Sequence, residues 1–575
     1  MQSIENLPLK AFWEAVEQQL AVLSADDLRA VLRVMAQETL PAERRVFLAT
    51  LTPPQTVADA APYIPQEELL AQIDDLAQEL AAAMEDADEW EERHSWDSYY
   101  DDEDSLGQYE EFVESLAALF DQTQAAFDYG DFALACAAYQ KLFAVLDMED
   151  DYGRSVGLTD LSGVNAEETI ARYLRAIYET TAPAERPAAL YAQMPSMRTV
   201  LRRRVMLDDL IQISPRPLPD QNTFLEAWVA HLRAQNAASG SDADAWLREA
   251  VWLAEGVTGL ADLARAEGVT RPRAYLDWFT ALLETDQYAE VITAAQAALQ
   301  TLPAEWPIRA AIADQLCEAA AKLDQPSVVR EGRWQAFFAK PTEARLLDLW
   351  EAEPDPAARL LLMQQALRRV QTYHPPTSEP SFSMWNWSDT VETPASPGTT
   401  LLTHTYMLAG EWDAAQQLAA PANVLGWTSA TSHQNLVVAV FLALLAGETP
   451  PALTDNLAQI WKSGVHRSVG FSTDSTLALR FDRAYTAQFA QTHWPDDVQA
   501  RYLAWCLDVA RRRVEAIVGG QHRKSYDKAA TLTAACAETL RRRGDQAAAT
   551  AFVSEIRTRF PRHSAFQAEL KRVLR

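Results

Sequence analysis

Eleven carboxylates fall between Glu85 and Asp104, with Arg93 the single Lys or Arg among them, and Trp90, Trp96, Tyr99 and Tyr100 are interleaved with them. Aromatic anchors set among charges suit a docking surface for a basic partner. Asp88, Trp90, Trp96, Tyr99, Tyr100 and Asp102 are the candidate contacts. Two other readings are nucleic-acid mimicry, with carboxylates standing in for phosphates, and a plain solvated acidic face. A calcium loop is excluded. Asp102, Asp104 and Gly107 match its first, third and sixth places, but Leu106 and Val113 stand at the fifth and twelfth, where oxygen ligands are required.

The opposite charge gathers at the other end. Residues 501–575 carry 16 basic against 7 acidic side chains, whereas residues 1–150 carry 33 acidic against 7 basic, in a chain of net charge −31. Arg523, Lys524 and Arg542 are the candidate contacts of this tail. Consecutive arginines on a helix point about 100° apart, so Arg511-Arg512-Arg513 and Arg541-Arg542-Arg543 do not form one stripe. The tail is read as a solvated terminal hairpin, as a partner for the acidic region within one chain or head to tail between copies, or as the one place where nucleic acid would bind. The acidic remainder repels nucleic acid and anionic membranes. Self-association is compatible with the two charge poles.

Trp385 and Trp387, in Phe382-Ser383-Met384-Trp385-Asn386-Trp387, lie in a Pro- and Ser-rich stretch. Left in water they cost free energy, so they either fold back onto the protein or are captured by a partner.

Templates for catalysis fail in turn. There is no G-x-x-x-x-G-K-[ST], no H-E-x-x-H and no G-x-S-x-G. The histidines are dispersed, and His94, His374 and His404 read as surface or satisfied structural residues. The expectation is a protein that is not an enzyme and has no cofactor or metal site.

The elements that must carry these residues are helices. Glycine is scarce, at 19 in 575, and Ala, Leu, Glu, Gln and Arg dominate most segments. Phe112, Leu116, Leu119, Phe120, Thr123 and Phe127 recur at helical spacing, as do Leu360, Leu361, Met363, Leu367 and Val370. Ser241-Asp242 is a helix start signal. The longest apolar run, Leu436–Ala446, is too short to span a bilayer and is expected as a buried helix. The start, Met1-Gln2-Ser3-Ile4-Glu5, carries no basic stretch followed by an apolar run, so no secretory leader is expected. Cys136, Cys317, Cys506 and Cys536 are far apart and expected to be reduced, which suits the cytoplasm.

Several segments share one order: turn, aromatic, small residue, large residue. Tyr275 and Trp278 precede Asp286, Tyr288, Ala298-Leu299 and Pro303. Gly130, Phe132, Ala135 and Tyr139 repeat the order, and so do Gly410, Trp412 and Ala415. Looser copies are Gly544, Ala549, Ile556 and Pro561, with Gln546 in the aromatic place, and Leu323-Asp324, Val329, Ala336-Phe337 and Pro341. This spacing resembles the tetratricopeptide repeat, in which hairpins too small to bury their own apolar faces stack on one another. Phe279 stands where that family has a small residue, and Pro303 to Pro341 spans 38 residues where the family has about 34. The ends, Phe12-Trp13 through Leu48 and His522 through Ala530, resemble helical segments of uncharacterised bacterial proteins, some of which accompany SWIM zinc fingers. The C-x-C and C-x-H pairs of that finger are absent here, so no zinc role carries over.

The expected fold is all-α, an irregular helical-hairpin solenoid in two or three segments. Residues 1–214 form an acidic helical domain with an acidic insert near 85–108. Residues 220–372 form a tetratricopeptide-like domain, 373–400 a Pro/Ser/Trp linker or loop, and 401–575 a second tetratricopeptide-like domain with the basic tail. Pro215–Pro219 stiffens the first junction. As a flexible coil, the linker with its five prolines would span roughly 30 Å. The expected function is a non-enzymatic scaffold or adaptor for protein partners. The alternative is a two-part regulator, for example of a prokaryotic defence or stress-signalling system, controlled by movement or cleavage at 373–400.

Overall fold

The computed structural model describes residues 66–85, 106, 109–150, 153–201, 203–235, 237–374, 397–427, 433–453, 455–469 and 476–574. The protein is all-α, with no strand among the described residues. It divides into two compact units, one reaching to Ala281 and the other carrying the chain from Leu282.

The first unit holds α1 (Gln66–Glu85), α2 (Glu110–Tyr129), α3 (Phe132–Leu146), α4 (Ala166–Thr180), α5 (Arg186–Leu201), α6 (Leu207–Gln212), α7 (Gln221–Ala234) and α8 (Asp242–Glu267), and it ends within α9 (Arg273–Glu284). Three of its helices, α3, α4 and α8, start on side-chain caps. Asn165 Oδ1 accepts from the amides of Glu167 and Glu168 at 3.1 and 3.3 Å, and Ser241 Oγ accepts from Asp244 N at 3.3 Å, as its start signal predicts. The spacing from Phe112 to Phe127 is an inward stripe, and Phe112, Leu116, Leu119, Phe120, Thr123 and Phe127 are all buried. The Pro215–Pro219 segment lies inside this unit. Arg175, fully buried, pairs with Glu179 at 2.7 Å and donates to the carbonyls of Arg216 and Pro217 at 3.0 and 2.9 Å. Tyr178 donates to Pro219 O at 2.6 Å. A proline-rich segment lacks amide donors and exposes carbonyls, and here buried side-chain donors satisfy them.

The second unit holds α10 (Tyr288–Thr301), α11 (Ile308–Lys322), α12 (Pro326–Ala339), α13 (Glu343–Ala352), α14 (Pro356–Thr372), α15 (Thr399–Leu408), α16 (Trp412–Ala419), α17 (His433–Leu445), α18 (Asp455–Trp461), α19 (Leu477–Phe489), α20 (Asp496–Val514), α21 (Tyr526–Arg542), α22 (Gln546–Arg559) and α23 (Ser564–Val573). Short π-helical turns, Lys462–His466 and Glu515–Gly519, extend α18 and α20. From Leu436 to Ala443 no side chain of α17 is more than 2% exposed. A helix apolar on every side must be enclosed. Phe441 at its middle is surrounded by Trp494, Tyr502 and Trp505, with ring centroids at 5.4, 4.6 and 5.8 Å. The Leu436–Ala446 run is therefore a buried helix, and no helix among the described residues is long and apolar enough to cross a membrane.

One turn recurs between successive helices. At the end of α15, Gly410 takes φ 77°; its N–H donates to Met407 O at 3.2 Å, and Glu411 N–H donates to Tyr406 O at 2.9 Å. The same two bonds close the chain at Gly130, Asp286, Asp324 and Gly544, with φ of 89°, 57°, 52° and 84°. This pairing satisfies helix-end carbonyls and demands a left-handed residue, which explains glycine and aspartate there. Two residues later the next helix opens, at Phe132, Tyr288, Pro326, Trp412 and Gln546. Between α11 and α12 the close approach is set by Gly332, where a Cβ would stand 2.5 Å from Cys317 Sγ.

Gly410 has open surroundings, since a Cβ there would meet only Leu360 Cδ1 at 3.6 Å. Its substitution thus isolates the backbone cost. Gly410→Ala is expected to lower unfolding stability by about 1 kcal/mol, and Gly410→Asn by less. Urea unfolding of the two variants against the parent chain checks the order.

Candidate functional site

Of the residues singled out by sequence, Asp88, Trp90, Trp96, Tyr99, Tyr100 and Asp102 lie outside the described residues. So do Trp385 and Trp387, most of the 373–400 linker, His94, and the Phe12–Leu48 segment. Arg523 and Lys524 are exposed on a 3₁₀ turn, Arg523–Ser525. Arg542 ends α21 and pairs with Glu538 at 3.1 Å and with Glu448. It therefore closes two helix ends as a structural ion pair. These candidates stand at opposite ends of α21, about 25 Å apart at 1.5 Å per residue, so the structure does not bring them together.

The structure gathers a different set in the second unit. Two adjoining hollows, of about 140 and 220 Å³, share Trp427, Arg513 and Lys528 in their walls. The loop before α17 supplies Trp427, the first turn of α17 supplies Asn435, and the end of α18 with its π turn supplies Ser463 and Arg467. The last turn of α20 supplies Arg513, and the opening of α21 supplies Asp527, Lys528 and Thr531. Three cations thus face one carboxylate, in a chain of net charge −31.

Arg513 is the deepest of the three, 4% exposed. Its guanidinium carbon lies 4.1 Å from the centroid of the Trp427 ring and its Nη1 donates to Val424 O. It meets no carboxylate among the described residues, and its Nε has no hydrogen-bond partner. Burial pushes its pKa down to about 10, well above neutrality, so a full positive charge sits in the wall of the cleft.

The frame behind it is polar and tightly joined. Trp427 Nε1 donates to Gln434 Oε1 at 3.2 Å, and Gln434 Nε2 donates to Ala419 O at 3.0 Å. Asn435 Nδ2 donates to Ser463 O at 2.6 Å, while its Oδ1 is buried without a partner. Gly464 lets the π turn come this close: a Cβ there would lie 2.7 Å from Ala439 Cβ and 2.9 Å from Asn435 O.

The three arginines of the 511–513 run part company, as the 100° rule predicts. Arg511 pairs with Glu555 at 2.8 Å, Arg512 with Asp508 at 2.9 Å, and Arg513 turns into the cleft. The triplet was visible in sequence. Which member points inward was not, because the signal is the burial of the facing Trp427.

A second polar cluster lies beside the cleft. His404 is fully buried; its Nδ1 faces the Tyr485 hydroxyl and its Nε2 the Ser468 hydroxyl, each at 2.8 Å. Ser, His and a third polar group invite a nucleophile reading. The bonding opposes it: Ser468 donates its proton to Val465 O at 2.6 Å and so accepts from Nε2, leaving Nδ1 to accept from Tyr485. The ring stacks on Phe481 at 4.0 Å. This is a satisfied structural histidine, held neutral because burial pushes its pKa down to about 3. Nearby, Asp482 accepts from Trp461 Nε1 at 2.7 Å and meets His466 Nε2 at 2.9 Å. The cysteines are free, and burial pushes the thiol of Cys317 up to about 11 and that of Cys536 up to about 12, which makes them poor nucleophiles.

His404 has a testable signature. Its folded pKa lies below the unfolded value of about 6.5. The stability it contributes is therefore present above pH 6.5 and is lost as pH falls from there toward 3. Between those limits the parent chain should lose about 1.4 kcal/mol per pH unit more than His404→Gln. Denaturant titrations at stepped pH compare the slopes, and equal slopes would contradict the assignment.

Compared with known proteins, the chain matches no family model and no curated sequence.

Proposed function

We propose that this protein is a non-enzymatic scaffold whose helical hairpins, stacked as in tetratricopeptide proteins, present surfaces to protein partners in the cytoplasm. The observation that carries this reading is the recurrent turn. Gly130, Asp286, Asp324, Gly410 and Gly544 close their helices with the same pair of bonds, and a new helix opens two residues after each. Hairpins joined in this way expose broad faces, and such faces suit macromolecular partners better than a deep reactive pocket does. The free thiols agree with a reducing compartment.

The segregation of charge points to the kind of partner. The excess of 26 negative charges within residues 1–150 favours a basic protein, through fast and salt-sensitive encounter. The eleven carboxylates between Glu85 and Asp104, with their four aromatic residues, are the proposed contact.

An oligolysine peptide serves as the probe. Conversion of those eleven carboxylates to amides in the full chain is expected to weaken binding at low salt by about tenfold or more. The same number of amide substitutions on exposed carboxylates of the second unit should leave binding within about twofold. Equal loss in both variants would show that net charge alone attracts the peptide, and would sink the proposed dock.

A further inference from the structure

We infer that the cleft between Trp427, Arg467, Arg513 and Lys528 is a binding site for the phosphate group of a small soluble phosphate monoester. The inference is independent of the scaffold reading, since it concerns a concave site rather than a hairpin face.

Three observations carry it. The first is the cost of Arg513. A buried guanidinium without a carboxylate is expensive, and one carbonyl with an indole face compensates it only in part. Its Nε is buried without a partner, so the guanidinium is left under-satisfied, and an oxyanion in the cleft would supply the missing countercharge.

The second is charge balance. Arg467, Arg513 and Lys528 against Asp527 leave a surplus of two positive charges in the wall. A phosphate monoester carries about −1.5 to −2 at neutral pH, which matches that surplus; a monocarboxylate does not. Cations gathered in a concavity of an otherwise acidic chain focus an attractive field on a small anion.

The third is preorganisation. Asn435 clamps the π turn through Ser463 O, and Gln434 holds the Trp427 ring against which Arg513 rests. Arg513 and the backbone that carries Arg467 are therefore placed before a ligand arrives, so part of the ordering cost is already met. The hollows suit a phosphate and a few further atoms rather than a polymer chain.

The test uses the full chain, with inorganic phosphate and glycerol 3-phosphate as probes in calorimetric titration at constant ionic strength. Saturable binding of one phosphate per chain is expected, weakened about tenfold or more by Arg513→Gln and severalfold by Lys528→Gln or Arg467→Gln. Arg523→Gln, outside the cleft wall, should leave affinity unchanged. Arg467 is exposed and Lys528 partly so; their variants decide the matter even if Arg513→Gln fails to fold. Non-saturable binding, or affinity that ignores Lys528→Gln and Arg467→Gln, would overturn the site. Acetate binding as tightly as phosphate would overturn the ligand class. A phosphoserine peptide binding more than about tenfold tighter than both probes would overturn the small-molecule assignment in favour of a phosphorylated protein.

Discussion

The second unit depends on one constraint: α17 has no side that tolerates water. Eight consecutive residues at 2% exposure or less form a rod that neighbours must enclose completely. That demand explains the aromatic shell of Trp494, Tyr502 and Trp505 around Phe441. It explains why α15, α16, α18, α20 and α21 pack about one axis. It also places the exception. The helix turns polar at its first buried residues, Gln434 and Asn435, and there the enclosure opens into the cleft. A simple row of hairpins leaves the outer side of each helix in solvent, and α17 departs from that pattern.

The first unit solves a different problem, an irregular proline-rich segment with surplus carbonyl acceptors. Arg175 and Tyr178 reach from α4 and satisfy them, so a segment that reads as a joint in sequence is held from inside. Both units therefore use buried arginine, but in opposite ways. Arg175 has Glu179 beside it and a full complement of acceptors. Arg513 has neither, and that contrast separates a structural cation from one with remaining capacity to bind.

Much of the fold was legible in the sequence. The helical class follows from apolar spacing and residue type, and the turns at Gly130, Asp286, Gly410 and Gly544 follow from a left-handed residue standing two places before a helix start. Ser241 and the Leu436–Ala446 run also behaved as local rules dictate. The cleft was not legible. Its walls come from five stretches spread over about a hundred residues, and local periodicity tells only whether a side chain points inward, not what it meets there. Arg523 and Lys524 attracted notice because they are adjacent in sequence, yet they sit on an exposed turn, while Arg513 two helical elements earlier carries the buried charge. Arg542 is spent on closing the end of α21 against Glu448. Composition likewise marked the acidic run, but composition cannot say which carboxylates share a face.

The π turn at Lys462–His466 has an evolutionary consequence. Such a turn holds one residue more than a regular helix needs. Deleting a single residue from it would return the segment to α-helical hydrogen bonding, and the helix on either side would keep nearly the same facing. Arg467 and Ser468 would stay close to their present directions, and the change would fall on the backbone at Ser463, whose carbonyl Asn435 holds. The history of this region should thus be written in gains and losses of single codons, which add or remove the bulge that Asn435 grips without turning the rest of the helix.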